Sequence, residues 1–523
     1  MQSFFAGTIT LIVAGLLSRI FGAIPKFVLP RLVGMEALGL YQMTYPLLIF
    51  VITLARFGLP VALTKRIAEA SRQGDTGTIR RLFLLGLLLA IISGAILSLV
   101  IFLSAPLIAR YYLHHPEATL TIQMVGVSIL PISIASTFRA YYQGLSEMRP
   151  PALSSVMETI MRTVTTLVLA RLLAPLGMGK AAAGMMLAIS IGEWFGLLWL
   201  IYPLWKDNRN QKIPLAQPLI PPPTSQPKHD RTSLFSLFPS LWRMAYPVGL
   251  TGIVGTLAYA LEPSLVVWCF ETTGMHKSDV LSAYGALNGL AMFLIWFPTT
   301  FTYPLAVSLI PAVSRASVVH DQKLIIRRLN QSLRFIAAIS MPLVAFMIIF
   351  RKPLALVLFG EKSVADYLLW IAPFAPLLYV QGPLGAALQG MSLQRITFFH
   401  TLVGSTGRLL AIALFVPLTT LGMNGVALAV DISIVLTTFL HIDRLKRVLK
   451  WRIPWEGQLL SLMSALVAAL LIYVLFPLGE SPQGVGLIVD FSLMLLLTAL
   501  IYRFSGLITA RDMRRIIQTF RRR

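Results

Sequence analysis

The run of apolar residues from Phe4 to Leu29 is the first constraint on this chain. At about 1.5 Å of rise per residue, a helix of that length crosses the roughly 30 Å hydrocarbon core of a bilayer. Further runs of that kind, bounded by charge, Pro and Gly, follow near 39–62, 82–104, 121–144, 154–175, 181–204, 242–270, 281–311, 333–350, 367–389, 397–418, 422–441, 457–477 and 485–505. The expectation is an all-α polytopic membrane protein with about 14 transmembrane helices. Composition agrees: 56% of residues are hydrophobic and 12% charged, against about 25% charged in a soluble domain.

The net charge of +23 would suggest nucleic acid in a soluble protein. Here most of the 44 basic residues fall in the even-numbered connections and the C-terminal tail, from Lys65 and Arg66 through Lys323, Arg327 and Arg328 to Arg521, Arg522 and Arg523. The odd-numbered connections hold Arg31, Arg110, Lys180, Lys277, Arg351, Lys352 and Lys362. The positive-inside rule therefore puts both termini in the cytoplasm, and no nucleic-acid partner is needed. The tail Arg511–Arg523 suits anionic headgroups. The N-terminus lacks the basic n-region of a cleavable signal peptide. A lone Cys269 allows neither an internal disulfide nor a cysteine metal cluster.

Pro221-Pro222-Pro223 sits in a polar stretch that reads as a flexible cytoplasmic linker. Across it the chain repeats itself. Gln143-Gly144-Leu145-Ser146 recurs as Gln389-Gly390-Met391-Ser392, and at the same spacing Arg149 matches Arg395 and Arg162 matches Arg408. Ile79-Arg80-Arg81-Leu82 recurs as Ile326-Arg327-Arg328-Leu329, and Gly177-Met178 as Gly422-Met423. Apolar bias does not generate matches in Gln, Ser and Arg. The chain thus reads as an N-lobe, 1–205, a linker, 206–240, a C-lobe, 241–446, and a C-terminal pair of helices with the basic tail, 447–523. Each lobe has six helices, so the two repeats are parallel, and in transporters of that kind the site lies near the midplane between them.

Seven cations lie inside the expected spans: Arg19, Lys26, Arg56, Arg139, Arg162, Arg171 and Arg408. All but Arg408 belong to the first repeat, where the embedded acids are Glu158 and Glu193; Glu262 and Asp431 lie in the second. An intramembrane charge costs at least about 2.5–3.5 kcal/mol on insertion scales, so such residues face a polar cavity or a partner. Arg19 and Lys26, seven residues apart, share a helical face, with Pro25 between them. A basic cavity suits a phosphate or pyrophosphate, because guanidinium forks match phosphate oxygens. Arg19, Lys26, Arg56, Arg139 and Arg162 are the candidate ligands. Structural roles are open for each. Lys26 and Arg171 can snorkel to an interface, Arg56 and Arg139 lie near span ends, and Glu158 with Arg162 can be an i, i+4 pair. Glu262 and Glu158 are candidates for a gate or coupling group, Glu262 through a meeting with Arg19. Tyr41 and Tyr45 read as packing, and Gln143 and Gln389 as helix terminators.

Catalytic signatures are missing from the sequence. His400 is the one histidine well inside an expected span, and no acid or cysteine stands at metal-ligand spacing from it. No Gly-Lys-Ser/Thr phosphate loop occurs. The expectation is a non-enzyme without cofactor or metal, driven by a monovalent cation gradient or the membrane potential. A multispan glycosyl- or acyltransferase would need a polar catalytic cluster that is not found, and a cation-coupled drug exporter would need an acidic first repeat.

Leu17-Ser18-Arg19 with Phe21-Gly22, Phe57-Gly58-Leu59-Pro60, Tyr142-Gln143-Gly144 and Gln389-Gly390, in that order and spacing, resemble the multidrug/oligosaccharidyl-lipid/polysaccharide exporter superfamily over nearly the whole chain. The polysaccharide branch, in its stage V sporulation protein B-like group, is the most similar. The resemblance implies a bacterial cell membrane protein, alternating access of two lobes and the flipping of a lipid-linked sugar, an undecaprenyl-pyrophosphate cargo like lipid II, in peptidoglycan, spore-cortex or polysaccharide biosynthesis. It also implies a monomer that meets membrane lipids and polymerase machinery. Ser18-Arg19 matches the essential arginine motif of the lipid II flippases, whereas Pro25-Lys26 stands where they carry a basic residue followed by an acid.

Overall fold

The computed structural model describes residues 2–209, 234–476 and 484–505. The expected linker around Pro221–Pro223 and the tail Arg511–Arg523 lie outside the described residues. Contacts divide the chain into two compact units, Met1–Gly285 and Ala286–Arg523.

The first unit holds α1 (Gln2–Arg56), α2 (Leu59–Arg72), α3 (Thr76–Tyr111), α4 (Thr119–Gly144), α5 (Arg149–Leu173), α6 (Met178–Arg209), α7 (Phe238–Thr273) and α8 (Lys277–Tyr284). The second opens from a π-helical turn, Gly285–Ala291, into α9 (Met292–Trp296), α10 (Thr299–Val318), α11 (Gln322–Ile349), α12 (Arg351–Phe359) and α13 (Ser363–Ile371). It continues through α14 (Ala375–Gly390), α15 (Gln394–Leu418), α16 (Met423–Leu449), α17 (Trp455–Leu475) and α18 (Gly484–Phe504). Among the described residues there is no strand. Helices α7 and α8, which the sequence repeat assigns to the second copy, cluster with the first unit.

Among the described residues, 13 helices are long and apolar enough to cross a membrane, as in a multi-pass membrane protein. The first of them, Ala14–Arg72, is 59 residues long. At about 1.5 Å per residue that is far more than one crossing. Gly34, at φ 77 and ψ 172, interrupts it. A side chain disfavours that conformation, so glycine marks the division between two spans, as the runs 4–29 and 39–62 predict. The expected span 281–311 is broken at Phe297 and Pro298, between α9 and α10.

Close packing in the first unit depends on small residues, as membrane helices without a hydrophobic driving force require. A Cβ on Gly39 of α1 would overlap the Leu281 carbonyl of α8, and one on Gly285 would lie 2.8 Å from the Gly39 nitrogen.

The duplication is visible in the backbone. Asp75 Oδ1 accepts from the Thr78 N–H at 2.8 Å and begins α3; Asp321 Oδ1 accepts from the Leu324 N–H at 2.9 Å and begins α11. Left-handed residues recur in matching places: Gly74 and His320, His114 and Gly360, Ser146 and Ser392, at φ 71 and 55, 51 and 72, 61 and 63. In the last pair the serine N–H donates to the carbonyl of Gln143 or Gln389, at 3.0 Å in both copies. The repeated Gln-Gly-x-Ser is therefore a helix-ending turn.

Replacing an N-cap aspartate by alanine costs about 1 kcal/mol. Asp75→Ala and Asp321→Ala should each lower the thermal unfolding midpoint of the purified protein in detergent, by similar amounts. An effect in one copy alone would contradict the equivalence of the caps.

Candidate functional site

The expected cations of the first repeat fall into two groups, and α5 is the helix they share. On one side of α5, hydroxyls hold the first half of α1. Ser18 Oγ donates to the Ser155 carbonyl at 3.3 Å, Thr163 Oγ1 donates to the Phe21 carbonyl at 3.0 Å, and a Cβ on Gly22 would meet Thr159 at 3.7 Å. This ladder fixes the rotation of α1. Arg19, next to Ser18, is exposed, and Lys26, two turns further on, is half-buried. Lys26 makes no hydrogen bond or ion pair among the described residues.

On an adjacent face, roughly 80° round the helix at 100° per residue, α5 presents Glu158 and Arg162 to α4 and α6. Glu158 Oε2 accepts from Arg139 Nη2 of α4 at 2.7 Å, and Oε1 accepts from Arg162 Nη1 at 2.8 Å. The same Arg139 nitrogen donates to Glu193 Oε2 of α6 at 3.2 Å. Both carboxylate side chains are 9% exposed and Arg139 is 19% exposed, whereas Arg162 is 35% exposed and forms the open end of the group. Two cations and two anions leave this cluster neutral. Its geometry follows from α6, where Gly192 and Gly196 flank Glu193. A Cβ on Gly192 would lie 2.8 Å from Arg162 Cβ, and one on Gly196 would lie 2.9 Å from Glu158 Cβ. The Gly-x-x-x-Gly spacing lets α6 lie against α5 closely enough for Glu193 to reach Arg139.

Arg56, at the end of α1, lies within electrostatic reach of Glu193, Arg139 and Glu158. Its Nη2 donates a long bond, 3.4 Å, to the Ile132 carbonyl, and its Nε is buried without a partner. A cavity of about 300 Å³ opens beside it, walled by Phe57, Ile92, Ser93, Trp242 and Ala245. Phe57 and Trp242 stack there with ring centroids 5.3 Å apart. Tyr41 lies near Arg162, Tyr45 and Tyr259, which places the tyrosine pair beside the open end of the cluster.

Arg139, Arg162 and Glu158 are thus brought together, Arg56 joins them at longer range, and Arg19 and Lys26 are on the helix held against an adjacent face of α5. Glu262 is buried at 1% exposure on α7, within electrostatic reach of Tyr112, whose hydroxyl donates to the Ala260 carbonyl. Glu193 is the member that was not among the candidate site residues, although the Gly-Glu-x-x-Gly pattern around it was a usable signal. In the second unit Asp431 is 1% exposed near Arg408, and both its carboxylate oxygens are buried without a hydrogen bond. His400 faces His441 across 3.3 Å. No group of three or more metal-ligating side chains occurs among the described residues.

Removing one partner of a buried ion pair costs about 3–5 kcal/mol, because the other charge is left uncompensated. Glu158 holds two arginines and Glu193 holds one. Glu158→Ala should therefore lower the melting temperature in detergent more than Glu193→Ala, and Gly192→Val should act like a loss of Glu193. Equal or negligible shifts would show that the cluster does not brace the helices.

The family model described as "Polysaccharide biosynthesis protein" matches residues 4–317, and the model MatE matches 256–414. The chain is 29% identical over 523 residues to Stage V sporulation protein B of Bacillus subtilis (strain 168), covering 98% of each. It is 24% identical over 414 residues to that organism's Lipid II flippase MurJ, covering 76% of this chain and 74% of MurJ. Among solved structures, a Lipid II flippase MurJ in an inward closed conformation superposes with a TM-score of 0.68 at 14% identity, covering 94% of this chain and 98% of that one. An inward-facing multidrug resistance transporter of the MATE family superposes at 0.67 and 15% identity, over 83% and 94%. The chain belongs to the polysaccharide biosynthesis protein family, in the stage V sporulation protein B-like branch of the multidrug/oligosaccharidyl-lipid/polysaccharide exporter superfamily.

Proposed function

We propose that this protein is a flippase that moves an undecaprenyl-pyrophosphate-linked sugar, of the lipid II kind, across the cytoplasmic membrane by alternating access of its two repeats. The observation that carries this reading is Lys26. It is a half-buried cation in a membrane helix, with no anion among the described residues to neutralise it. A pyrophosphate would offset that desolvation in a way a cationic drug does not. Arg19, on the same helical face, and Arg56, beside its cavity, supply further positive charge, and Arg162 offers an open guanidinium edge. The relative named as a lipid II flippase supports the same cargo class, and the relative named as a stage V sporulation protein fits a role in sporulation.

In this scheme the protein is not an enzyme. Both termini lie in the cytoplasm, the lipid tail stays in the bilayer, and the pyrophosphate is the group the protein must carry. The driving force is an ion gradient or the membrane potential, since one charge moved through 100 mV is worth about 2.3 kcal/mol. Glu158 acts first as a brace for Arg162 and Arg139, with any gating role secondary. The MatE match keeps a drug exporter as the competing reading. Such an exporter calls for acids free to meet a cation, whereas Glu158 and Glu193 are both engaged by Arg139.

The test is flipping of a fluorescent undecaprenyl-pyrophosphate sugar in proteoliposomes. Arg19→Ala and Lys26→Ala should each reduce the rate by an order of magnitude or more, at unchanged protein level. Arg171→Ala, at the end of α5, should leave it unchanged. Full activity of both variants would sink the anion-site reading, and transport of an organic cation without lipid movement would favour the exporter.

A further inference from the structure

A second basic cavity lies within the second unit and is lined by none of the candidate site residues. It has a volume of about 650 Å³ and opens between the start of α11 and the start of α17; its polar lining includes Lys323, Arg327, Asn330, Arg334, Glu456 and Gln458. At 100° per residue, Lys323, Arg327, Asn330 and Arg334 lie within roughly 60° of one another, so α11 turns one basic stripe toward α17. None of Lys323, Arg327, Arg334 or Glu456 has a hydrogen bond or ion pair among the described residues.

Two neutral side chains are fixed at this cavity, and each has one polar group left over. Trp451 Nε1 donates to Asn330 Oδ1 at 2.8 Å, which uses the amide oxygen and leaves the amide nitrogen as a donor. Gln458 is 7% exposed; its Nε2 donates to the Leu333 carbonyl at 3.1 Å, and its Oε1 is buried without a partner. The cavity thus combines three unpaired cations, an amide donor, one buried orphaned acceptor and the Glu456 carboxylate, and positive charge is in excess. A ligand that satisfies the cations, the amide donor and the orphaned acceptor carries anionic oxygens and a hydroxyl donor.

The surroundings indicate where such a ligand comes from. Arg334 lies about 16 Å along α11 from Lys323 and directly precedes the exposed Phe335. On α17, the exposed Leu459, Leu460 and Met463 follow Gln458. Charge thus gives way to exposed apolar surface on both helices at one level, as at the headgroup boundary of a bilayer.

We propose that this cavity binds the phosphodiester headgroup of an anionic phospholipid bearing a free headgroup hydroxyl, such as phosphatidylglycerol. Lys323, Arg327 and Arg334 hold the phosphate and Gln458 Oε1 accepts from the hydroxyl. The bound lipid ties α17, a helix outside the duplication, to α11. Glu456 opposes binding by like charge. This site is independent of the proposed transport site.

Native mass spectrometry of the full-length protein, titrated with dioleoylphosphatidylglycerol or dioleoylphosphatidylcholine in detergent, tests the assignment. Each Lys or Arg near an anionic lipid surface adds to the attraction. The triple variant Lys323→Ala, Arg327→Ala, Arg334→Ala should therefore bind phosphatidylglycerol at least tenfold more weakly, whereas Arg328→Ala, outside the cavity lining, should bind as wild type does. Glu456→Gln should bind more tightly, an outcome that a misfolded variant cannot mimic. Soluble glycerophosphate at the same concentration should not displace the lipid. Unchanged binding by the triple variant, or no gain with Glu456→Gln, would overturn the site. Displacement by glycerophosphate would reassign it to a free phosphoester.

Discussion

A carboxylate gripped by two guanidiniums inside the membrane is the interaction on which the first unit depends. Glu158 takes Arg139 and Arg162 on its two oxygens, at 2.7 and 2.8 Å, and Arg139 extends the chain to Glu193. Each of these charges alone would carry a large desolvation cost in lipid. Together they neutralise one another and cross-link α4, α5 and α6. The glycines of α6 are the steric condition for this, since a side chain at Gly192 or Gly196 would collide with α5. Packing and electrostatics therefore specify the same helix arrangement.

This brace changes how the basic excess of the first repeat is understood. Counted along the sequence, the embedded cations look like one large anion trap. In space, Arg139 and Arg162 are compensated, and the uncompensated charge is concentrated at Lys26 and, more weakly, at Arg56. The hydroxyl ladder from α5 to Ser18 and Phe21 sets the angle at which α1 presents Arg19 and Lys26. One helix thus supports a neutral cluster on one face and, on an adjacent face, the helix that carries Arg19 and Lys26.

Much of the fold was legible because lipid imposes a simple rule on sequence: helix-length apolar runs, with charges kept to their ends. The runs 82–104, 121–144 and 181–204 sit inside α3, α4 and α6, and 154–175 overruns the end of α5 by two residues. The duplication was legible from Gln143-Gly144 and Gln389-Gly390, and their shared turn geometry explains why those polar residues recur. Two features escaped for physical reasons. Hydropathy has no term for backbone φ, so the break at Gly34 could be placed only between the runs 4–29 and 39–62, and the interruption at Phe297-Pro298, inside the apolar run read as one span over 281–311, was missed. Partner choice is three-dimensional. Arg139, read along the chain as an interfacial residue, becomes the centre of the network only when α6 brings Glu193 to it. The i, i+4 spacing of Glu158 and Arg162, by contrast, was a local signal, and that pair forms as spaced.

The central claim is that the unpaired Lys26 recognises phosphate, and binding measures it more directly than transport does. Affinities of undecaprenyl pyrophosphate and of uncharged undecaprenol should be compared for the protein in nanodiscs, in wild type, Lys26→Ala and Lys26→Arg. A preference for the pyrophosphate lipid that falls about tenfold with alanine and persists with arginine is expected, since a charge-assisted hydrogen bond is worth roughly 1.5–3 kcal/mol. Equal affinity of wild type and Lys26→Ala for the pyrophosphate lipid would contradict it.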